Sequence, residues 1–236
     1  MTAATTPSTA RATSTCAGET PRRDPSATSG LCHADTASLP EYPRRMFLRE
    51  NEVGGRLAPH LAAGTTVLDV GSGTGRLSRW LATRVGVRPT QADVVEFDNR
   101  VQDLPFVRLG DPLALPFPDR SFDVVMLLFV LHHLERWEDQ EALVREAARV
   151  AARRLLIIED TPTSRIDRVM NVAWDWVLNL RHGVPTPFTF RTVHGWTDVF
   201  ERSGLAVRHS QTYRARWPTL MTYHHTLFVL EARRGG

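Results

Sequence analysis

Val67-Leu68-Asp69-Val70-Gly71-Ser72-Gly73-Thr74-Gly75-Arg76-Leu77-Ser78 is the stretch that decides how this chain folds. Its first four residues read as a buried strand. Three glycines follow at every second position, and an amphipathic helix then opens with Leu77, Trp80 and Leu81 on one face. A strand that ends in a glycine turn and starts a helix is a cradle for a nucleotide. Glycine lets the backbone come close to a ligand, and the first helical turn presents unpaired N–H groups.

Spacing separates two kinds of cradle. A dinucleotide site follows Gly-x-Gly-x-x-Gly, which would place the third glycine at position 76. That position is Arg76, and Asp69 stands two residues before the first glycine. The order acid-x-Gly-x-Gly-x-Gly resembles the first motif of the class I S-adenosylmethionine-dependent methyltransferases. The resemblance extends over residues 45 to 233, with a bacterial small-molecule, type-11-like domain as its nearest form. It implies S-adenosylmethionine as cofactor. Its methionyl part and ribose would lie over Gly71, Ser72, Gly73 and Gly75, with Asp69 near the amino group.

The chain after this turn alternates strands and helices, as a doubly wound α/β sheet does. A helix over 44–62 precedes the first strand, 65–70. A second strand spans 87–93, against which stands Pro89 inside it, since proline suits an edge or a strand start. Asp93 ends it, 18 residues beyond Gly75, and a carboxylate there can accept both hydroxyls of a ribose. Glu96 and Asp98 are its rivals. No helical pattern is visible over 94–105. Phe106–Leu109 reads as the third strand. The following Gly110-Asp111-Pro112, part of Gly-Asp-x-x-x-Leu-Pro-Phe, again resembles this family. By that resemblance Asp111 would accept the adenine amino group beside Pro112; from the residues alone, Asp111 equally caps a turn.

The apolar run 121–128 reads as a central parallel strand. Phe129 to Leu134 follows it at the carboxyl edge, where open α/β sheets bind ligands. Phe129 falls among the cofactor contacts that the resemblance implies. His132 and His133 are candidates to orient substrate or take a proton, against the alternative that each merely bonds the loop backbone. A helix over 138–151 buries Ala142, Leu143, Ala147 and Val150. A fifth strand, 154–159, leads to Asp160, a further candidate base or substrate anchor, or else a loop carboxylate.

Residues 164–181 read as a helix with Ile166, Val169, Met170, Ala173, Trp174, Val177 and Leu178 as a core stripe. Its other face and the loop after it carry Trp176, Asn179 and His182. The insertion 162–195 is similar to that of a bacterial subgroup of the family and is expected to recognise substrate. Thr192 caps a short helix, 193–203, and strands at 205–213 and 224–232 form an antiparallel pair at the sheet edge. The expected fold is a single Rossmann-like, doubly wound sheet of about seven strands, mostly parallel with an antiparallel edge strand.

Composition narrows the classes. The 236 residues are 42% apolar and 23% charged, enough for one packed domain, 39–236, behind a tail. Residues 1–38, rich in Thr, Ser, Ala and Pro, bury too little to order and read as a disordered tail, with a transit peptide as the alternative. No apolar run approaches a membrane span. The net charge is +3, carried by scattered arginines with no lysine, so no basic stripe points to nucleic acid. Cys16 and Cys32 lie in the tail, and the acids and histidines lack metal-ligand spacing.

The expected activity is methyl transfer to a small-molecule acceptor, in the cytoplasm, with the enzyme's main work being placement. Holding a nucleophile in line with the methyl group can supply about 7–11 kcal/mol of the barrier. The alternatives are an NAD-dependent oxidoreductase, which Arg76 disfavours, and a cofactor-binding protein that transfers no methyl group. Neither the acceptor nor the oligomeric state is legible in the sequence.

Overall fold

Thr66–Val70 form β1, which pairs in parallel on both sides. On one side lies β2 (Arg88–Asp93) and beyond it β3 (Phe106–Arg108). On the other lies β4 (Phe122–Leu128), then β5 (Ala151–Asp160). The last two strands, β6 (Leu205–Arg214) and β7 (His224–Ala232), turn antiparallel, and β7 inserts between β5 and β6. The seven strands run β3-β2-β1-β4-β5-β7-β6. This computed structural model describes residues 48–169, 172, 187, 189–214 and 224–233.

Alternation along the central strands sends side chains to two cores, because successive residues of a strand face opposite sides. Leu68, Val70, Val125, Leu127, Leu155 and Ile157 pack beneath α3 (Trp137–Val150) and beneath a later helix that carries Trp196, Val199 and Phe200. Val67, Val124, Met126, Leu128, Leu156 and Ile158 pack against Val53 and Leu57 of α1 (Leu48–Leu57) and Leu81 of α2 (Arg76–Val85). The continuous apolar runs of β4 and β5 are therefore explained by helices on both faces. Between α1 and α2 the approach is close. A Cβ on Gly54 would lie 2.4 Å from the Trp80 ring, whose Nε1–H donates to Asn51 Oδ1 at 2.7 Å.

Several boundaries differ from expectation. Strand β5 is longer than 154–159 and takes in Asp160, since antiparallel pairing with β7 continues through Asp160 and His225. The inner face of α3 uses Gln140, Leu143, Val144, Ala147 and Val150, with Ala142 only half-buried. The expected core stripe after β5 is corrected at its start. In the helix α4, described over 165–169, Ile166 is 77% exposed and Val169 65% exposed, whereas Asp167 is buried. The apolar periodicity there is real, but Asp167 turns inward because it has hydrogen-bond donors to meet. Met170, Ala173, Trp174, Val177 and Leu178 lie outside the described residues. Helix α5 (Val193–Arg202) is capped as its sequence implies, with Thr192 Oγ1 accepting from Gly195 N–H at 3.2 Å. Among the described residues no helix is long and apolar enough to cross a membrane.

Candidate active site

The glycine turn sits where the strand order reverses, between β1 and β4, at the carboxyl edge of the sheet. Its backbone is locked from below. Gly71 N–H donates to Ala92 O at 2.8 Å, and Gly75 N–H to Ser72 O at 2.9 Å. At Gly75, φ is +71° and a Cβ would lie 2.0 Å from Gln91 Oε1; at Gly71 a Cβ would lie 2.3 Å from Val130 Cγ2. Above Gly73 there is open space, with nothing within 4 Å of a Cβ built there. The turn is thus packed on its inner side and open on its outer side. Ser72 Oγ is buried and has no hydrogen-bond partner among the described residues. A buried hydroxyl without a partner is costly and calls for a ligand atom.

Asp69 lies beneath this turn, 3% exposed, and accepts from Ser78 Oγ–H at 2.6 Å. Burial pushes its carboxyl up from 3.8 to about 6; the Ser78 hydrogen bond opposes this and the nearby Asp93 adds to it. A cationic amine arriving from a ligand would stabilise the charged form. An open backbone turn, an orphaned hydroxyl and a buried carboxylate suit the methionyl end of S-adenosylmethionine.

Asp93, at the tip of β2, reaches the same turn: its Oδ2 accepts Gly73 N–H at 2.8 Å and its Oδ1 accepts Val95 N–H at 3.0 Å. Each carboxylate oxygen keeps further acceptor capacity, so these bonds orient the group without exhausting it. Of its rivals, Glu96 is engaged by Arg100 at 2.9 Å and Asp98 is exposed. Asp111 Oδ1 accepts Leu113 N–H at 2.8 Å, which is the turn-capping role open to it from the residues alone, and Pro112 beside it is half-buried.

Across the switch point, Phe129 leaves β4 with φ of +60° and donates its N–H to Ile158 O at 2.8 Å. The 3-10 turn Leu131–His133 follows. His132 is buried, and its Nδ1 lies 2.6 Å from Glu159 Oε2. A carboxylate can only accept, so the ring nitrogen donates. Glu159 Oε1 meanwhile accepts from Val130 N–H at 2.9 Å and Leu131 N–H at 2.7 Å. This single buried carboxylate therefore fixes both the turn and its imidazole. His133 is half-buried with its ring centroid 4.2 Å from that of His132. The neighbourhood is stitched to α3: Gln140 Nε2 donates to Leu131 O at 3.0 Å and to Thr189 O at 2.9 Å, and Thr189 Oγ1–H donates to Leu134 O at 2.8 Å.

Asp160 forms a second carboxylate–imidazole pair. Its Oδ1 is 2.5 Å from His225 Nδ1, and the Phe129 and Tyr213 rings lie against the same imidazole, at 4.9 and 5.4 Å between centroids. A third pair stands just outside. Asp167 Oδ2 accepts from Thr163 N–H at 2.8 Å and from His224 Nδ1–H at 2.9 Å, while Arg214 Nε–H donates to His224 Nε2 at 3.0 Å. Burial raises the Asp167 carboxyl, but the donors from Thr163 and His224 outweigh it and leave the group below its ordinary value.

The structure thus gathers Asp69, Ser72, Asp93, Phe129, His132, His133 and Asp160 along one sheet edge. Glu159, His224 and His225 were not among the residues expected from sequence. The doublets Glu159-Asp160 and His224-His225, each bordering an apolar strand, were the available signal. Trp176, Asn179 and His182 lie outside the described residues. Among the described residues, no cluster of three or more His, Cys, Asp or Glu could hold a metal ion.

Comparison with known proteins bears on the fold that carries these residues. Residues 68–155 match a family model described as a methyltransferase domain. The 27-O-demethylrifamycin SV methyltransferase of Amycolatopsis mediterranei is 33% identical over 132 residues, 51% of this chain and 45% of that protein. The chain therefore spans less than half the length of this curated relative. Among solved structures, a SAM-dependent methyltransferase from Methanosarcina mazei aligns with a TM-score of 0.60 at 15% identity, covering 76% of this chain and 98% of that one. The 1,6-didemethyltoxoflavin-N1-methyltransferase of Burkholderia thailandensis, solved with its acceptor and S-adenosylhomocysteine, gives 0.59 at 15% identity, covering 78% of each chain. At such identities the structural likeness speaks for the fold. Residues 68–155 are thus similar to a methyltransferase domain, and the chain has the fold of the S-adenosylmethionine-dependent methyltransferases, which makes S-adenosylmethionine the cofactor this likeness supports.

Proposed function

We propose that this protein transfers the methyl group of S-adenosylmethionine to a small-molecule acceptor, at oxygen, nitrogen or carbon, by in-line displacement. The observation that carries this reading is the bond from Gly73 N–H to Asp93 Oδ2, which makes the glycine turn and the end of β2 one cradle, with the unpartnered Ser72 Oγ inside it. When bound, S-adenosylmethionine supplies an electrophilic methyl group on sulfur. The chain's residues do the placing. Asp69 meets the amino group, Ser72 and the backbone of Gly71, Gly73 and Gly75 hold the methionyl part and ribose, Asp93 accepts the ribose hydroxyls, and Asp111 with Pro112 borders the adenine.

The acceptor then lies over the ends of β4 and β5. A base is required only where the acceptor loses a proton, and His132, His133 and Asp160 are the candidates. Asp160 has the further support of an imidazole partner in His225. Segment 162–195, with Trp176, Asn179 and His182, supplies acceptor recognition. The rifamycin and toxoflavin enzymes act on small molecules, which favours that class here, and the scattered charge gives no reason to invoke nucleic acid. We place the reaction in the cytoplasm.

Calorimetry with S-adenosylmethionine, S-adenosylhomocysteine and NAD tests the reading, followed by an assay for S-adenosylhomocysteine release across hydroxylated and heterocyclic acceptors. Binding of the first two and not the third, with turnover on some acceptor, is the expected result. Binding of NAD alone overturns it.

A further inference from the structure

The turn that carries His132 is held by the far end of segment 162–195, where Thr189, Phe190 and Arg191 meet one junction. The Thr189 hydroxyl donates, in a shared bond, to Leu134 O at 2.8 Å and His132 O at 3.1 Å, and it accepts from Gln140 Nε2 at 3.0 Å. The Phe190 ring, 1% exposed, lies against the His132 imidazole at 5.3 Å between centroids. Arg191 Nε–H donates to Gln140 Oε1 at 2.7 Å, and Arg191 Nη2–H to Trp137 O at 3.1 Å. The start of the segment reaches the same place, because Arg168 Nη2–H of α4 donates to Phe190 O at 3.2 Å. Gln140 is fully buried on a face of α3 that is otherwise formed by Leu143, Val144, Ala147 and Val150. A polar group there is costly unless it is bonded. Every bond of its side-chain amide goes to this junction: to Leu131 O, Thr189 O and Thr189 Oγ1, and from Arg191 Nε.

We propose that Thr189 is a positioning residue for His132, through which segment 162–195 sets the place of that imidazole. The inference rests on the reading given above, in which this segment recognises the acceptor and His132 is a candidate base. Glu159 takes the Nδ1–H of the ring, so in the neutral imidazole Nε2 is the basic nitrogen. Where that nitrogen stands depends on the backbone of the turn, and Thr189 bonds the carbonyls of His132 and Leu134 directly. Apolar packing alone would fill this space, but it is non-directional and would let the turn slide. Hydrogen bonds fix direction as well as distance. The precision matters, because a misplacement of about 1 Å at a reacting group can cost on the order of a hundredfold in rate. Acceptor recognition and the imidazole are in this way parts of one bonded unit.

The test is the rate at which the His132 Nδ1 proton exchanges with water, read by NMR on the full chain carrying isotope-labelled histidine. Wild type is compared with Thr189→Val, Thr189→Ser and Arg168→Gln. His225 is the internal reference, since its Nδ1–H bonds Asp160 on the other face of the sheet. Val keeps the shape and removes the hydroxyl. It is expected to speed exchange at His132 about tenfold and at His225 by less than about twofold, and Ser is expected to restore the wild-type rate. Arg168 is exposed, so Arg168→Gln serves even if Thr189→Val fails to fold; it removes the link from α4 and should speed exchange at His132 about threefold. With an acceptor that yields S-adenosylhomocysteine, Thr189→Val should lower kcat about tenfold and leave KM for S-adenosylmethionine within about twofold. Unchanged exchange at His132, or a rise that His225 shares equally, overturns the inference, because a residue that only stabilises the fold cannot act on one imidazole and spare the other. Release of S-adenosylhomocysteine with no acceptor at all overturns the proposed function instead, and the exchange rates still decide whether Thr189 positions the ring.

Discussion

Replacing Asp69 with Asn isolates the electrostatics of the cradle. In the folded protein the buried carboxyl titrates at about 6 instead of 3.8, with burial as the main cause. The folded state therefore binds this proton more tightly than the unfolded chain does. Its contribution to stability is fully present below pH 3.8 and is lost as the pH rises through about 6. A shift of roughly two units corresponds to about 3 kcal/mol, of which about 2–3 kcal/mol should appear between pH 4 and pH 8. Asn has no proton to lose and can still accept from Ser78. Urea unfolding of both proteins from pH 4 to pH 8 should show the variant gaining on wild type by that amount, since other titrations cancel in the difference. The variant should nevertheless bind S-adenosylmethionine more weakly. Calorimetry near pH 6 in two buffers of different ionisation heat should register proton release when wild type binds the cofactor. Parallel stability curves across this range would refute the placement of Asp69 as a buried, strained acid awaiting a cation.

Other variants address single contacts. Asp93→Ala should weaken S-adenosylmethionine by about 1–3 kcal/mol, because ribose hydroxyls lose their acceptor and Gly73 N–H loses its anchor; calorimetry reads the loss, and unchanged affinity would move the ribose role to Glu96 or Asp98. Gly73→Ala and Gly75→Ala should differ in kind. The first meets open space and should lose about 1 kcal/mol of stability but more than tenfold in cofactor affinity, whereas the second meets Gln91 Oε1 and should lose stability outright. Melting and titration of the two side by side check this. Gly54→Ala should destabilise by about 1–3 kcal/mol through overpacking on Trp80, measured by urea midpoint, and Trp80→Leu in the same chain should recover part of it.

The sheet was legible because its signals are local. Val124–Leu128 and Leu155–Ile158 are apolar runs that only a strand covered on both faces needs, and three glycines followed by Leu77 and Leu81 mark a turn that opens a helix. Thr192 and Gly204 bracket α5 by the ordinary rules of helix ends. Ile166 and Val169 were misread because periodicity reports that a helix has an apolar face without reporting what that face meets. Asp167 faces inward to accept from Thr163, four residues before it, and from His224, 57 residues after it, and only the first of these is local.

The acid–imidazole pairs show why the rest of the site stayed hidden. Glu159 and Asp160 are neighbours in β5, so they point to opposite faces of the sheet. Glu159 follows the side of Ile157 and meets His132 above α3, whereas Asp160 follows the side of Ile158 and meets the face packed by α1 and α2. His225 joins Asp160 only because β7 inserts beside β5 in the register that sets Asp160 opposite His225, on the same face. Sliding β7 by one residue would reverse every one of its side chains and set His224 in that place. The same register sets the buried run Leu227–Leu230 against Leu155–Ile158. The pairing of acid with imidazole thus comes with the pairing of the two apolar runs beside it. A sequence shows such doublets plainly, but which acid meets which imidazole is written only in the strand order and register.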